Sequence, residues 1–211
     1  MPAMDPSRIE GLRLVIEVAA TLAFALSGLL EAARRKLDAV GACVVAFLAA
    51  FGGGTLRDLL LDQRPFFWVR HVEYVWAVLV LSALAMIALR ARHLALTERA
   101  ILIPDALGLG LFAAAGTDMA LGLGHTPLIA VLMGVVTGVF GGVLRDVVCN
   151  EIPNAFRDHR PYAVVAFLGG WLYVGLERLA VSADWALVIT VVAIAAVRLL
   201  ALARQWTLPR W

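Results

Sequence analysis

Charge is scarce in this chain. Of its 211 residues only 16% are charged while 62% are apolar, and the mean hydropathy is +0.88; a soluble domain of this size carries about 25% charge. That shortage excludes a soluble globular fold and predicts an integral membrane protein. The net charge of +2 is too small for electrostatic capture of nucleic acid, so no nucleic-acid partner is expected. Cysteine is nearly absent: Cys43 and Cys149 both fall in apolar runs, which excludes a disulfide framework and leaves two free thiols acting as small apolar residues. The four histidines have no ligand spacing, and neither a nucleophile–base constellation nor a phosphate-cradling loop is present, so we expect no metal, no cofactor and no enzyme.

What the chain has instead is apolar length. Seven runs approach the roughly 17–25 residues that a membrane-spanning helix needs, over 12–30, 39–61, 72–89, 101–121, 128–149, 162–180 and 184–203. The connections are too short to hold a separate soluble domain. Arg8 and Arg13 ahead of the first run suggest a signal peptide, but Glu17 and Glu31 interrupt or bound it and no small-residue cleavage site follows, so a retained first helix is expected.

One phrase occurs twice. Phe51-Gly52-Gly53-Gly54-Thr55-Leu56-Arg57-Asp58 returns as Phe140-Gly141-Gly142-Val143-Leu144-Arg145-Asp146, and at a constant offset of 88 residues Glu10/Glu98, Phe24/Phe112, Ala25/Ala113, Gly28/Gly116, Ala32/Ala120, Pro65/Pro153, His71/His159 and Tyr74/Tyr162 also coincide. The chain is therefore read as two copies of one unit, 8–92 and 96–180, followed by a seventh span at 184–203. Each unit holds three spans, an odd number, so the second must enter the membrane from the opposite side; the fold class is an all-α membrane protein of inverted 3+3 repeats plus one helix. Counting basic residues in alternate loops places 11 on one face and 5 on the other, with Arg198 in the larger group. The positive-inside rule then puts the N-terminus outside and the C-terminus in the cytoplasm.

The repeated phrase carries the candidate site. Adjacent glycines in mid-span let a helix bend or unwind, and the resulting half-helix ends expose carbonyls that suit a cation and N–H groups that suit a carboxylate. Gly52, Gly53 and Gly54 are read as a break in the second span, with Thr55 and Asp58 at capping-box spacing to restart the helix. In the fifth span Val143 replaces Thr55, and Gly134, Gly138, Gly141 and Gly142 form a small-residue face, for which close helix packing alone is the alternative reading. Arg57, Asp58, Arg145 and Asp146 lie at membrane depth and need partners. Consecutive side chains on a helix diverge by about 100°, so Arg57 is expected to pair with Asp146 and Arg145 with Asp58 across the halves, or else with Glu17 and Asp105. These pairs could equally be structural staples. Glu17, Ser27, Asp105 and Thr117 are the further candidates for a pore lining or vestibule, and Glu31 and Asp118 are read as interfacial.

The segments FGGGTLRDLLLDQRP at 51–65, DALGLGLFAAAGTDMAL at 105–121 and GVFGGVLRDVVCNEIP at 138–153 resemble the prokaryotic trimeric intracellular cation channel family, which also carries an older label as a glycine transporter. The resemblance covers the first six spans. It implies a seven-helix protomer with its N-terminus outside, a homotrimer in a bacterial inner membrane, and a pore for potassium and sodium in each protomer beside glycine-kinked second and fifth helices. It makes Gly52, Gly53, Gly54, Gly141 and Gly142 the kink residues. A secondary transporter for glycine or another small amino acid is the competing expectation.

Overall fold

The computed structural model describes residues 6–92, 98–156 and 161–207. Among them are eight helices: α1 (Pro6–Arg34), α2 (Ala39–Leu60), α3 (Phe67–Arg70), α4 (Val72–Arg92), α5 (Glu98–Gly122), α6 (Pro127–Val148), α7 (Ala163–Arg178) and α8 (Ala183–Ala203). Apolar composition makes them and local chemistry bounds them. Asp38 caps α2 by accepting the Gly41 N–H at 2.7 Å, and Pro127 opens α6, where its missing N–H costs nothing. Residues in the left-handed region close the helices, Lys36 after α1, Asp62 after α2, Gly124 after α5 and Asn150 after α6. Lys36 and Gly124 stand 88 residues apart, and so do Asp62 and Asn150.

Among the described residues five helices are long and apolar enough to cross a membrane: Gly11–Arg34, Ala39–Leu60, Ala100–Gly122, Pro127–Val148 and Ala183–Ala203. The apolar part of α4, Val72–Ala88, is shorter, and α7 has 16 residues. The short helix α3 was not anticipated; it forms inside the connection after α2.

Helices α1, α2, α5 and α6 make the centre, α4 flanks the first pair, and α7 and α8 flank the second. Arg13 near the start of α1 binds Asp118 near the end of α5, so these two run antiparallel. At the opposite end Arg35 meets Glu151, just beyond α6. Phe24 and Phe112, 88 residues apart, stack on each other with centroids 5.7 Å apart and planes 16° off parallel. Around this bundle large apolar side chains face outward, among them Trp76, Ile87, Leu168, Trp185 and Val192, each more than 60% exposed. That is the surface a bilayer would wet, and it is the reason so little charge is needed.

Candidate functional site

The expected interruption of the glycine helices is not there. Both α2 and α6 run as unbroken α-helix through their glycines, because the glycines are spent on contact. A Cβ at Gly53 would overlap the Thr137 carbonyl oxygen of α6, and one at Gly141 would overlap the Ala49 carbonyl oxygen of α2. Ala49 and Thr137 are themselves 88 residues apart, so a single contact is made twice, once from each helix. Backbone-to-backbone approach of this kind holds helices together without an interruption. Gly54 lies under the Phe67 ring, Gly52 under Leu144, and Gly138 against the backbone of Leu109 and Ala113.

The capping-box expectation fails with the break. Thr55 donates to the Phe51 carbonyl one turn back at 2.7 Å and accepts from Trp68 Nε1 at 2.9 Å. Thr117 likewise donates to Ala113 O at 2.9 Å, and sits buried beside Gly134.

The charge pairs also differ from expectation. Arg57 does not reach Asp146; it binds its own neighbour, with Nε and Nη2 donating to Asp58 Oδ1 at 2.9 and 2.6 Å, and both residues are 1% exposed. Divergence along the helix is overcome by the length of the arginine, whose side chain curls back toward an aspartate already held in place. Asp58 Oδ2 accepts the backbone N–H of Phe67 at 2.7 Å, tying the end of α2 to α3, and the Phe67 ring lies 5.5 Å from the guanidinium. An arginine at this depth takes the nearest acid.

The second copy is built on the same plan. Arg145 Nε donates to Asp146 Oδ1 at 2.8 Å, and Asp146 Oδ2 accepts the Asn154 N–H at 2.8 Å. Here, however, the guanidinium has more partners, since Nη1 donates to Asp105 Oδ1 at 2.7 Å and to Ser27 Oγ. Of the two alternatives to cross-pairing, Asp105 is realised. Glu17 is not: its nearest polar contact is the Tyr74 hydroxyl at 3.5 Å, and among the described residues it makes no salt bridge.

Glu17 instead lines a cavity of about 650 Å³ on the face where α1 begins, with Arg13, Arg70, His71 and Asp118 around it. Asp118 is not an ordinary interfacial residue, for it is 5% exposed and joins Arg13 to the Tyr173 hydroxyl at 2.6 Å. Glu31, also buried, binds Arg34 and Arg35 at the other end of α1. His71 faces Glu73 at 3.0 Å, while its counterpart His159 lies outside the described residues.

Sequence reasoning missed the tyrosines and one arginine. Tyr74 and Tyr162 were in register as repeats, which was the available signal, but nothing in the pattern tied Tyr74 to Glu17 or Tyr162 to Arg198. Arg198 was counted with a surface face; it is 1% exposed, with its Cζ 4.7 Å from the Tyr162 ring and Nη1 donating to Pro161 O. Its place inside the seventh apolar run was the clue.

Comparison with known proteins agrees with this layout. The family model described as "Glycine transporter" matches twice, over residues 14–90 and 102–178. A UPF0126 membrane protein of Vibrio cholerae is 36% identical over 195 residues, covering 92% of this chain and 81% of that protein. The UPF0126 inner membrane protein YadS of Escherichia coli is 38% identical over 155 residues, 74% of each. Among solved structures, the TRIC trimeric intracellular cation channel orthologue from Rhodobacter sphaeroides superposes with a TM-score of 0.85 at 33% identity, covering 92% of this chain and 98% of that one. A second TRIC cation channel gives 0.83 at 30% identity, with 93% and 96% covered. The chain belongs to the trimeric intracellular cation (TRIC) channel family, whose relatives carry the UPF0126 label, and is an all-helical membrane protein of a channel family rather than an enzyme family.

Proposed function

We propose that this protein is a passive monovalent cation channel that conducts potassium and sodium along a path between α1, α2, α5 and α6 of each protomer. The observation that carries the reading is the carboxylate of Glu17, which lines a large open cavity without a salt-bridge partner among the described residues and stands one step from the buried Arg57–Asp58 pair. Asp118 in the same cavity is paired with Arg13, which leaves Glu17 as the carboxylate without a salt bridge there among the described residues. Such a carboxylate in a funnel with low-dielectric walls concentrates cations at its mouth. The glycine crossing then sets how closely α2 and α6 approach, and so how wide a path they leave.

The architecture that goes with this function is seven membrane crossings by α1, α2, α4, α5, α6, α7 and α8. Units 8–92 and 96–180 form the inverted repeats and 184–203 is the additional helix. Support comes from the duplicated Gly53–Thr137 and Gly141–Ala49 contacts and from the Phe24–Phe112 stack. The N-terminus lies outside and the C-terminus in the cytoplasm of a bacterial inner membrane, and the protomers form a homotrimer like the solved relatives. A reporter that works only in the cytoplasm should be active when fused after Trp211 and silent at Met1.

Purified protein in liposomes tests the function. A potassium gradient alone should set a reversal potential near the potassium equilibrium value with no amino acid present. Saturable glycine uptake that needs a sodium or proton gradient, with no ionic current, would establish the transporter reading instead.

A further inference from the structure

The two halves part company at equivalent places, the end of α5 in the second half and the end of α1 in the first. Tyr173 on α7 is 2% exposed and reaches Asp118, and Leu121 of α5 packs in the same cluster. Their counterparts 88 residues earlier are Ala85 on α4 and Ala33 on α1. Two large side chains are thus replaced by two methyl groups at matching places. The space shows: a cavity of about 400 Å³ lies between α1, α2 and α4, lined by Leu29, Ala33, Ala42, Ala85 and Met86, with Asp38 at its edge.

Its surroundings say what it would take. On the same turns of α2 and α4, Val40, Val44, Leu84 and Ile87 are exposed apolar residues, the kind of surface a bilayer would wet, so the cavity opens beside apolar surface. At its polar end the turn after α1 carries Arg34, Arg35 and Lys36. Glu31 engages both arginines, whereas Lys36 is exposed and, among the described residues, forms no ion pair. The nearby Asp38 carboxylate is occupied by the Gly41 N–H at the start of α2. Lys36 immediately precedes the lining residues Leu37 and Asp38, and an apolar slot with a cation next to its polar end has the layout of a site for an acyl chain and an anionic headgroup.

We propose that this crevice is a structural lipid site, seating one acyl chain of an anionic phospholipid between α1, α2 and α4, with the phosphate held by Lys36. The site exists in the first half only, because Tyr173 and Leu121 fill the equivalent volume in the second. It does not depend on what the protein transports.

Native mass spectrometry of the protein extracted from membranes in mild detergent tests this directly. Wild type should retain about one more phospholipid per protomer than Ala85→Tyr, which installs the side chain that the second half already uses. Ala33→Leu fills the cavity from a different helix and should lose the same lipid, so a folding failure in one variant still leaves the other to decide. Lys36→Gln should keep a bound lipid but lower the preference for anionic over zwitterionic headgroups several-fold. Equal lipid retention in wild type and in whichever of the two filled variants is monodisperse would overturn the proposal. Loss of lipid in the filled variants with no headgroup effect from Lys36→Gln would overturn the assignment of the phosphate.

Discussion

The two Arg-Asp sites differ less in what they contain than in where their third partner goes. Each ends a glycine-bearing helix, and each aspartate holds both its own arginine and a backbone N–H of the chain that follows. In the second half the extra carboxylate, Asp105, completes the pair and is wholly buried. In the first half the extra carboxylate is Glu17, longer by one methylene, which is turned toward Tyr74 and the cavity. One copy of the unit has become a closed ionic staple while the other has kept an acid in contact with a mouth. Duplication supplies two like frames, and at this site the asymmetry lies on the helices opposite: Asp105 against Glu17, and Ser27, whose counterpart is Ala115, as a further partner of Arg145 alone.

The crossing of α2 and α6 is the part the halves share most closely, so breaking it should have the largest effect. Gly53→Leu and Gly141→Leu each drive a side chain into a carbonyl of the facing helix, where neither backbone can yield. The cost should exceed the roughly 1–3 kcal/mol of ordinary overpacking, and both variants should fail to give a monodisperse protein. Gly11→Leu, with nothing within 4 Å of its Cβ position, should be tolerated. If size-exclusion profiles showed only one of the two crossing variants to be damaged, the contact would not be the shared element described here.

Next in size is the loss of an arginine. Arg145→Met strands two buried carboxylates, Asp105 and Asp146, and should cost about 3–5 kcal/mol in stability. Arg57→Met strands only Asp58, which keeps the Phe67 N–H, so thermal unfolding in detergent should place it above Arg145→Met. Exchanging the charges of Arg57 and Asp146 should rescue nothing, since the two residues are not partners. Rescue would mean that the halves pair across the molecule in the membrane.

Smaller still is the effect of the acids on current. Glu17→Gln removes the carboxylate that faces the cavity and should lower potassium current several-fold in dilute salt but little at about 1 M, where the Debye length falls to about 3 Å. Asp105→Asn should act on stability first, because Asp105 is sealed against Arg145. Equal salt-dependent losses of current in both variants would erase the distinction between a mouth and a staple.

Membrane class and the offset of 88 residues were legible because each rests on composition or on repetition, which need no geometry. Of the partners only Asp105 was legible, as the counterpart of Glu17 at the repeat offset. Whether Arg57 curls back to Asp58 depends on where the chain goes after α2, and the N–H that fixes Asp58 belongs to Phe67, in a turn of helix that no periodicity announced. Glycine runs were ambiguous for a related reason: a missing Cβ permits either a broken helix or a close neighbour, and only the opposing carbonyls of Ala49 and Thr137 decide between them. Arg198 escaped because charge counting grouped it with the loop residues of one face, whereas it is roofed by Tyr162.

Thr55 offers the finest test of the comparison, because its counterpart is Val143 and the two halves therefore contain their own control. The Thr55 hydroxyl does not restart a helix; it joins α2 to the segment before α4 by donating to Phe51 O and accepting from Trp68 Nε1. Thr55→Val makes the first half match the second at this position with almost no change in volume. It should cost about 1 kcal/mol, the net worth of such a hydrogen bond, and leave the indole N–H to find a new acceptor at the half-buried edge of the bundle. Trp68 fluorescence should shift while the unfolding temperature falls only slightly. A collapse of the fold in Thr55→Val would show that the hydroxyl terminates a broken helix after all, and that α2 does not run continuously through Gly52, Gly53 and Gly54.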